Sequence, residues 1–148
     1  LSGGGVGGPS PVIGAPAYVA CKSAVAALTE VLADDLAGLG ATVNCIAPGA
    51  MPTGFMDAAL EAGPEVAGAA LHASASELQR GGDLTLPDGL TGLLDYLIGS
   101  EGGWVSGCLL SARWDTPETL AGHRGAIRAG NHGRLRRIDA DLFHEAPR

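Results

Sequence analysis

The chain has 148 residues, a length that suits one ordinary domain with a hydrophobic core and not two. Apolar residues make up 46% of it and charged residues 17%, a globular composition loosened by 24 glycines. The formal charge is −7, and seven of the eight arginines lie in residues 113–148. The acidic body would repel a polyanion, and the arginine-rich end is interrupted by acids and lacks interleaved aromatics, so no nucleic-acid partner is expected.

The cysteines and histidines give no sign of a metal site or of disulfides. Cys21, Cys45 and Cys108 lie far apart in apolar runs, so we expect buried free thiols and a reduced, cytoplasmic setting. The four histidines are scattered singly and have no metal-ligand spacing, so no metal is expected. No apolar run approaches a membrane span in length, and we expect no membrane partner.

The first helix follows a Gly/Pro/Ser-rich loop. Residues 17–39 are good helix formers, with Val25, Leu28, Leu32 and Leu36 at helical spacing, and Gly38 and Gly40 mark its end. The segment "ATVNCIA" comes next, and its short, β-branched, apolar character predicts a buried strand that ends at "PG".

Further helices and a second strand complete the order of elements. Two alanine-rich helices are predicted near residues 55–62 and 64–80, separated at Ala62–Pro64. Their polarity indicates a subdomain on the surface. "LPDGLTGLLDYLIGS" predicts another helix, and "WVSGCLLSA" a buried strand. The buried stripe of that helix is expected to be Leu90, Leu93, Leu94, Leu97 and Ile98.

Alternating helices and apolar strands are typical of an α/β protein with a parallel sheet. Two or three strands cannot form a doubly wound sheet that buries both faces. We therefore expect a partial Rossmann-type doubly wound parallel sheet, the C-terminal half of the domain, with its N-terminal βαβ units absent and lying before Leu1.

Tyr18 and the chain's only lysine, Lys22, are four residues apart at the start of the first helix. Residues at i and i+4 lie on one face of a helix, so the hydroxyl and the ammonium can share a pocket. A lysine cation and the positive end of the helix dipole both favour a phenolate. A tyrosine in that setting can exchange a proton with a carbonyl or alcohol oxygen, and the apolar neighbours of Lys22 give it no solubilising task.

The loop "PGAMPT" follows the first predicted strand, one helix after Tyr18. Ligands of open α/β sheets bind beyond the carboxyl ends of the strands, so this loop is a candidate cofactor contact.

Together these motifs resemble the short-chain dehydrogenase/reductase family, which has a Rossmann fold and uses NAD or NADP. The resemblance rests on "YVACK", "VNCIAPGAMPT" and "LIGSEGGWVSGCLLSARWD", although "SARWD" differs from the family's usual "DGG"-like ending. It implies residues 1–115 as the C-terminal half of such a domain and residues 116–148 as a partly helical or irregular extension. It also implies hydride transfer to a small-molecule carbonyl, or from an alcohol, and a homo-oligomer formed through the helix after Tyr18.

The resemblance also implies individual roles. Tyr18 would be the general acid/base, and Lys22 would favour its phenolate form and hold the nicotinamide ribose. Ser2 is the candidate for the serine that binds the substrate oxygen, with Ser10 as the alternative, although Gly5 occupies the usual spacing. The cofactor would contact Pro48, Gly49, Met51 and Thr53, and Phe55, Met56 and Leu60 are candidates to line the substrate site.

Two other classes of function are open to this sequence. The chain could be an inactive truncated fragment or an interaction module that lacks the half which binds the cofactor phosphates. A serine hydrolase is disfavoured, because no serine lies in a nucleophile-elbow context and no histidine lies at the end of an apolar strand.

Overall fold

The structure is a computed structural model that describes residues 14–49, 51–81, 88–130 and 132–134. Within them the fold is α/β, as expected, with helices around a small parallel sheet of two strands. In chain order the elements are α1 (Pro16–Leu36, extended by a 3₁₀ turn, Ala37–Leu39), β1 (Cys45–Ala47), α2 (Gly54–Ala67), α3 (Ala69–Gly81), α4 (Asp88–Ile98), β2 (Leu109–Ser111), α5 (Pro117–Gly122) and α6 (Arg124–Arg128).

The sheet is shorter than the sequence predicts. β1 and β2 pair in parallel, with Cys45 opposite Leu109 and Ala47 opposite Ser111, so each strand has three residues. The strands expected over "ATVNCIA" and "WVSGCLLSA" were therefore too long. Gly107, just before β2, has φ +74°, and the segments before the two strands are joined by side-chain hydrogen bonds of Asn44 and Ser106 together with the Gly107 N–H to Val43 carbonyl bond at 2.7 Å.

The hydrophobic core lies between the sheet and the helices α4, α5 and α6. Among the described residues it consists of Ile46, Leu90, Leu93, Val105, Cys108, Leu110, Ala112, Leu120 and Ile127. Leu120 and Ile127 come from the predicted C-terminal extension and pack with the rest, while the domain boundary at residue 115 stays a prediction. The expectation for Ile98 is wrong: it is 83% exposed, since it lies about 80° around the helix from Leu90.

Helix α1 buries small side chains and exposes large ones. Ala26, Thr29 and Ala33 are buried, whereas Leu28 is 54% exposed and Val25 and Leu32 are also exposed. The small face allows α1 to lie close to the rest of the described fold. The apolar spacing in the sequence therefore identified the helix correctly, but the stripe at that spacing is not its buried face.

Helices α2 and α3 adjoin each other beyond the loop after β1. The break expected at Ala62–Pro64 is present as a kink at Gly63, whose φ is +73°, and α2 continues through it to Ala67. A second glycine, Gly68 with φ +84°, separates α2 from α3. Glycine is required at both positions because this backbone region strains other residues.

Two expectations need correction, one about the burial of the cysteines and one about the length of the apolar segments. Cys45 and Cys108 are buried free thiols as expected, but Cys21 is exposed on α1. The segment Pro16–Leu39 is long and apolar enough, by length and composition alone, to cross a membrane, so the expectation that no run reaches this length is wrong. The core helix of a soluble protein can pass the same test, and this feature by itself assigns no location.

Candidate active site

Tyr18 and Lys22 lie together at the start of α1. Pro16 is at the first helical position, where its fixed φ suits the helix and its missing N–H costs nothing. The Lys22 Nζ lies over the Tyr18 ring, 5.5 Å from its centroid, and both residues are half-buried. The shared face expected from the spacing is therefore present, while the catalytic roles of the two residues stay predictions.

A third residue, Phe55, joins this pair from α2. The Phe55 and Tyr18 rings are stacked, with their centroids 4.2 Å apart and their planes 14° apart. Phe55 is the second residue of α2, so this contact connects the start of α1 to the end of the loop after β1. The sequence suggested Phe55 only as a substrate-lining residue, and no local pattern could reveal a contact between two separate helices.

The loop after β1 has a buried beginning and an exposed end. Pro48 is buried, and Met51 packs against the core. Gly49 has φ +94° and is exposed, and among the described residues no group other than its chain neighbours lies within 4 Å of the position that a Cβ would take. Thr53 is exposed and stands at the N-cap of α2, where its carbonyl oxygen accepts from the Met56 N–H at 2.8 Å but its hydroxyl caps nothing.

The turn after β2 is attached to this loop. The Ala112 N–H donates to the Ala47 carbonyl oxygen at 2.9 Å, immediately before Pro48. An Asp115 carboxylate oxygen accepts from the Ser111 N–H and closes the turn. The "SARWD" segment therefore forms a structural turn that fixes the backbone from which the candidate cofactor loop begins.

Several predicted residues are not brought together. Ser2, Ser10 and Gly5 lie outside the described residues.

His123 and His132 are stacked with centroids 4.6 Å apart, so these two are not scattered singly as expected. In the part of the chain that the structure describes, no group of three or more His, Cys, Asp or Glu residues could hold a metal ion.

The buried thiol of Cys108, directly before β2, is unsuited to chemistry. Burial raises the pKa of the Cys108 thiol above its ordinary value, and this effect outweighs the opposing influence of Arg134. A neutral thiol enclosed in the core is a poor nucleophile. Cys108 is thus a core residue, and the chemically arranged groups of the described chain remain Tyr18, Lys22 and the loop after β1.

A family model described as short chain dehydrogenase matches residues 4–63. The matched region contains Tyr18 and Lys22, the loop after β1 and Ser10, whereas Ser2 lies before it.

Among curated proteins, the diacetyl reductase ((S)-acetoin forming) of Staphylococcus aureus is 35% identical over 96 residues, which are 61% of this chain and 36% of that protein. A short-chain type dehydrogenase/reductase of Picea abies is 34% identical over 103 residues, 66% of this chain and 33% of that protein. A cyclohexanol dehydrogenase of Rhodococcus sp. is 36% identical over 93 residues, 63% of this chain and 32% of that protein. The chain thus spans about a third of the length of these relatives, and no solved structure matches it significantly.

Proposed function

Because this chain belongs to the short-chain dehydrogenase/reductase family of oxidoreductases, we propose that Tyr18 and Lys22 form the proton-transfer site of an NAD(P)-dependent enzyme. The reaction would interconvert a small-molecule carbonyl and a secondary alcohol. The observation that carries the proposal is the position of the Lys22 Nζ, 5.5 Å from the Tyr18 ring centroid at the start of a helix.

The residues of the loop after β1 fit a nicotinamide. The described residues leave space beside Gly49, and this space and the positive φ of Gly49 allow a flat ring to approach the backbone closely. Pro48 is buried and anchors the loop, and Thr53 is exposed with its hydroxyl not used as a cap. Pro48, Gly49, Met51 and Thr53 would hold the nicotinamide end of the cofactor, and Lys22 its ribose.

The nicotinamide, when bound, supplies or accepts the hydride. In the reduction, the Tyr18 hydroxyl gives its proton to the substrate oxygen as the carbonyl carbon gains the hydride, and the product is a secondary alcohol. Lys22, whose Nζ lies over the Tyr18 ring, would remain beside Tyr18 after the transfer until solvent returns a proton. In the oxidation, the phenolate removes the alcohol proton. Ser2, or Ser10 in its place, would hold the substrate oxygen.

We extend the proposal to the setting of the enzyme, a cytoplasmic homo-oligomer without a metal, membrane or nucleic-acid partner. The exposed apolar side chains of α1, Leu28 and Val31 among them, support an interface along this helix. Burying such side chains between subunits removes apolar surface from water.

A Tyr18→Phe substitution in the full gene product tests the proposal. With diacetyl or cyclohexanol as probe, kcat/KM should fall by about 10²- to 10⁴-fold, because general acid–base catalysis contributes that much. NAD(P)H binding, followed by cofactor fluorescence, should persist. The matched control is Tyr96→Phe, which removes the chain's other phenol hydroxyl, an acceptor of the Trp104 Nε1–H at 3.3 Å, and should leave turnover unchanged. Full turnover by the Tyr18 variant would remove this residue from the mechanism.

The alternative proposal is that this chain is an inactive truncated fragment or an interaction module. Titration of NADH and NADPH into the purified 148-residue chain separates the two ideas. If the residues that bind the cofactor phosphates lie elsewhere in the protein, the isolated chain should give no saturable binding. Tight binding by these residues alone would reject the alternative.

A further inference from the structure

The geometry points to Phe55 as a specificity-determining residue that limits the size of the group next to the reacting carbonyl. The inference rests on the proposed function of Tyr18 as the proton donor. Its basis is the stacked pair, in which the Phe55 and Tyr18 rings are nearly parallel with their centroids 4.2 Å apart.

The stack leaves Tyr18 little freedom and covers one face of its ring. At this separation the two rings are in van der Waals contact, so no substrate atom can lie between them. The phenol hydroxyl projects from the edge of the ring, where it can still meet a carbonyl oxygen. A substituent that extends from that carbonyl toward the covered face of Tyr18 meets the Phe55 ring.

The position of Phe55 suits contact with a substrate better than support of the hydrophobic core. It is half-buried and lies outside the hydrophobic core that the described residues form and outside the side chains packed against it, whereas Met51 of the preceding loop packs against that core. Phe55 stands directly after Thr53 and Gly54, so the same short segment carries a candidate cofactor contact and the ring that covers Tyr18. The candidate cofactor loop and the ring that would limit substrate size thus lie on one continuous stretch of backbone.

Removing the ring should widen the range of substrates. Phe55→Ala should raise the ratio of kcat/KM for 1-phenyl-1,2-propanedione to that for diacetyl by roughly tenfold or more, since pocket contacts of this size discriminate at that level. Phe55→Tyr keeps a ring of the same shape and should keep the wild-type ratio. Val66→Ala, an apolar truncation at a residue that is 73% exposed on the same helix, is the matched control and should also keep it.

The kinetic test needs a structural readout that does not depend on turnover. The near-UV circular dichroism of Phe55→Ala should lose the contribution of the stacked Tyr18 ring, and Phe55→Tyr and Val66→Ala should retain an aromatic signal close to that of the wild type. NAD(P)H affinity should stay within about twofold in all three variants, because the substitution removes no predicted cofactor contact.

The outcomes separate the two proposals. Failure of the wild-type protein to reduce any of the probe carbonyls, with cofactor bound, would reject the proposed function and the inference with it. Reduction by the wild type with the same substrate ratio in Phe55→Ala would overturn the role of Phe55 and leave the proposed function intact. A raised ratio in Phe55→Ala alone, accompanied by the dichroism change, would establish the inference.

Discussion

Asn44 joins the segments that lead into the two strands, and we predict that Asn44→Ala strongly destabilises the fold. Its side-chain Nδ2 donates to the Val105 carbonyl oxygen at 2.8 Å, and its Oδ1 accepts from the Cys108 N–H at 3.2 Å. Val105 and Cys108 are both 0% exposed, so their backbone groups cannot turn to bulk solvent when the amide is removed.

The size of the effect follows from these two bonds. A buried donor or acceptor left unpaired costs about 1–3 kcal/mol, and Asn44→Ala leaves one of each. A water molecule that enters the vacated space can satisfy part of this demand. We therefore expect the free energy of unfolding to fall by about 2–4 kcal/mol, a large share of the stability of an ordinary domain.

Urea unfolding followed by tryptophan fluorescence measures this loss, because Trp104 is adjacent to Val105 and partly buried against the core. The control is Thr42→Ala, an exposed substitution two residues earlier, which should change the free energy by less than about 0.5 kcal/mol. A loss for Asn44→Ala as small as that of the control would refute the reasoning that the amide satisfies buried backbone groups.

The remaining predictions concern packing and thiol chemistry. Gly89→Ala should cost about 1–3 kcal/mol in thermal or urea unfolding, because the added Cβ would run into the Ala112 carbonyl oxygen. Gly92→Ala on the same helix meets no group of the described residues and should be neutral or stabilising by up to about 1 kcal/mol, and equal effects at both positions would contradict the packing. A thiol reagent should modify Cys21 in the native protein and Cys108 only on unfolding. Burial raises the pKa of the Cys108 thiol in the folded state. Its contribution to stability is therefore complete below the ordinary thiol pKa and declines as the pH rises above that value. A free energy of unfolding that does not decline above the ordinary thiol pKa would contradict the burial of this thiol.

The structure agrees with the sequence where local geometry decides. The helix over residues 17–39 follows from its composition and glycine ends, and α1 with its 3₁₀ turn covers Pro16–Leu39. Tyr18 and Lys22 meet because four residues make about one helical turn. The loop "PGAMPT" lies beyond the end of β1 because proline and glycine stop a strand.

The sequence does not decide which side of a helix is buried when both sides are apolar. On α1 the stripe with Leu28 and Leu32 and the stripe with Ala26 and Ala33 have the same helical period, and burial selects the small side chains. Strand lengths depend in the same way on the partner segment, since the side-chain hydrogen bonds of Asn44 and the positive φ of Gly107 interrupt the regular ladder before β1 and β2.

The candidate site shows the same division. The shared helix face of Tyr18 and Lys22 follows from their spacing alone, because that contact spans one turn of a single helix. The contact of Phe55 with the Tyr18 ring could not be predicted from the spacing, because it depends on how two helices, separated by a strand and a loop, pack together. Periodicity encodes contacts within a turn or two of backbone, whereas contacts between elements depend on the mutual fit of surfaces far apart in the chain.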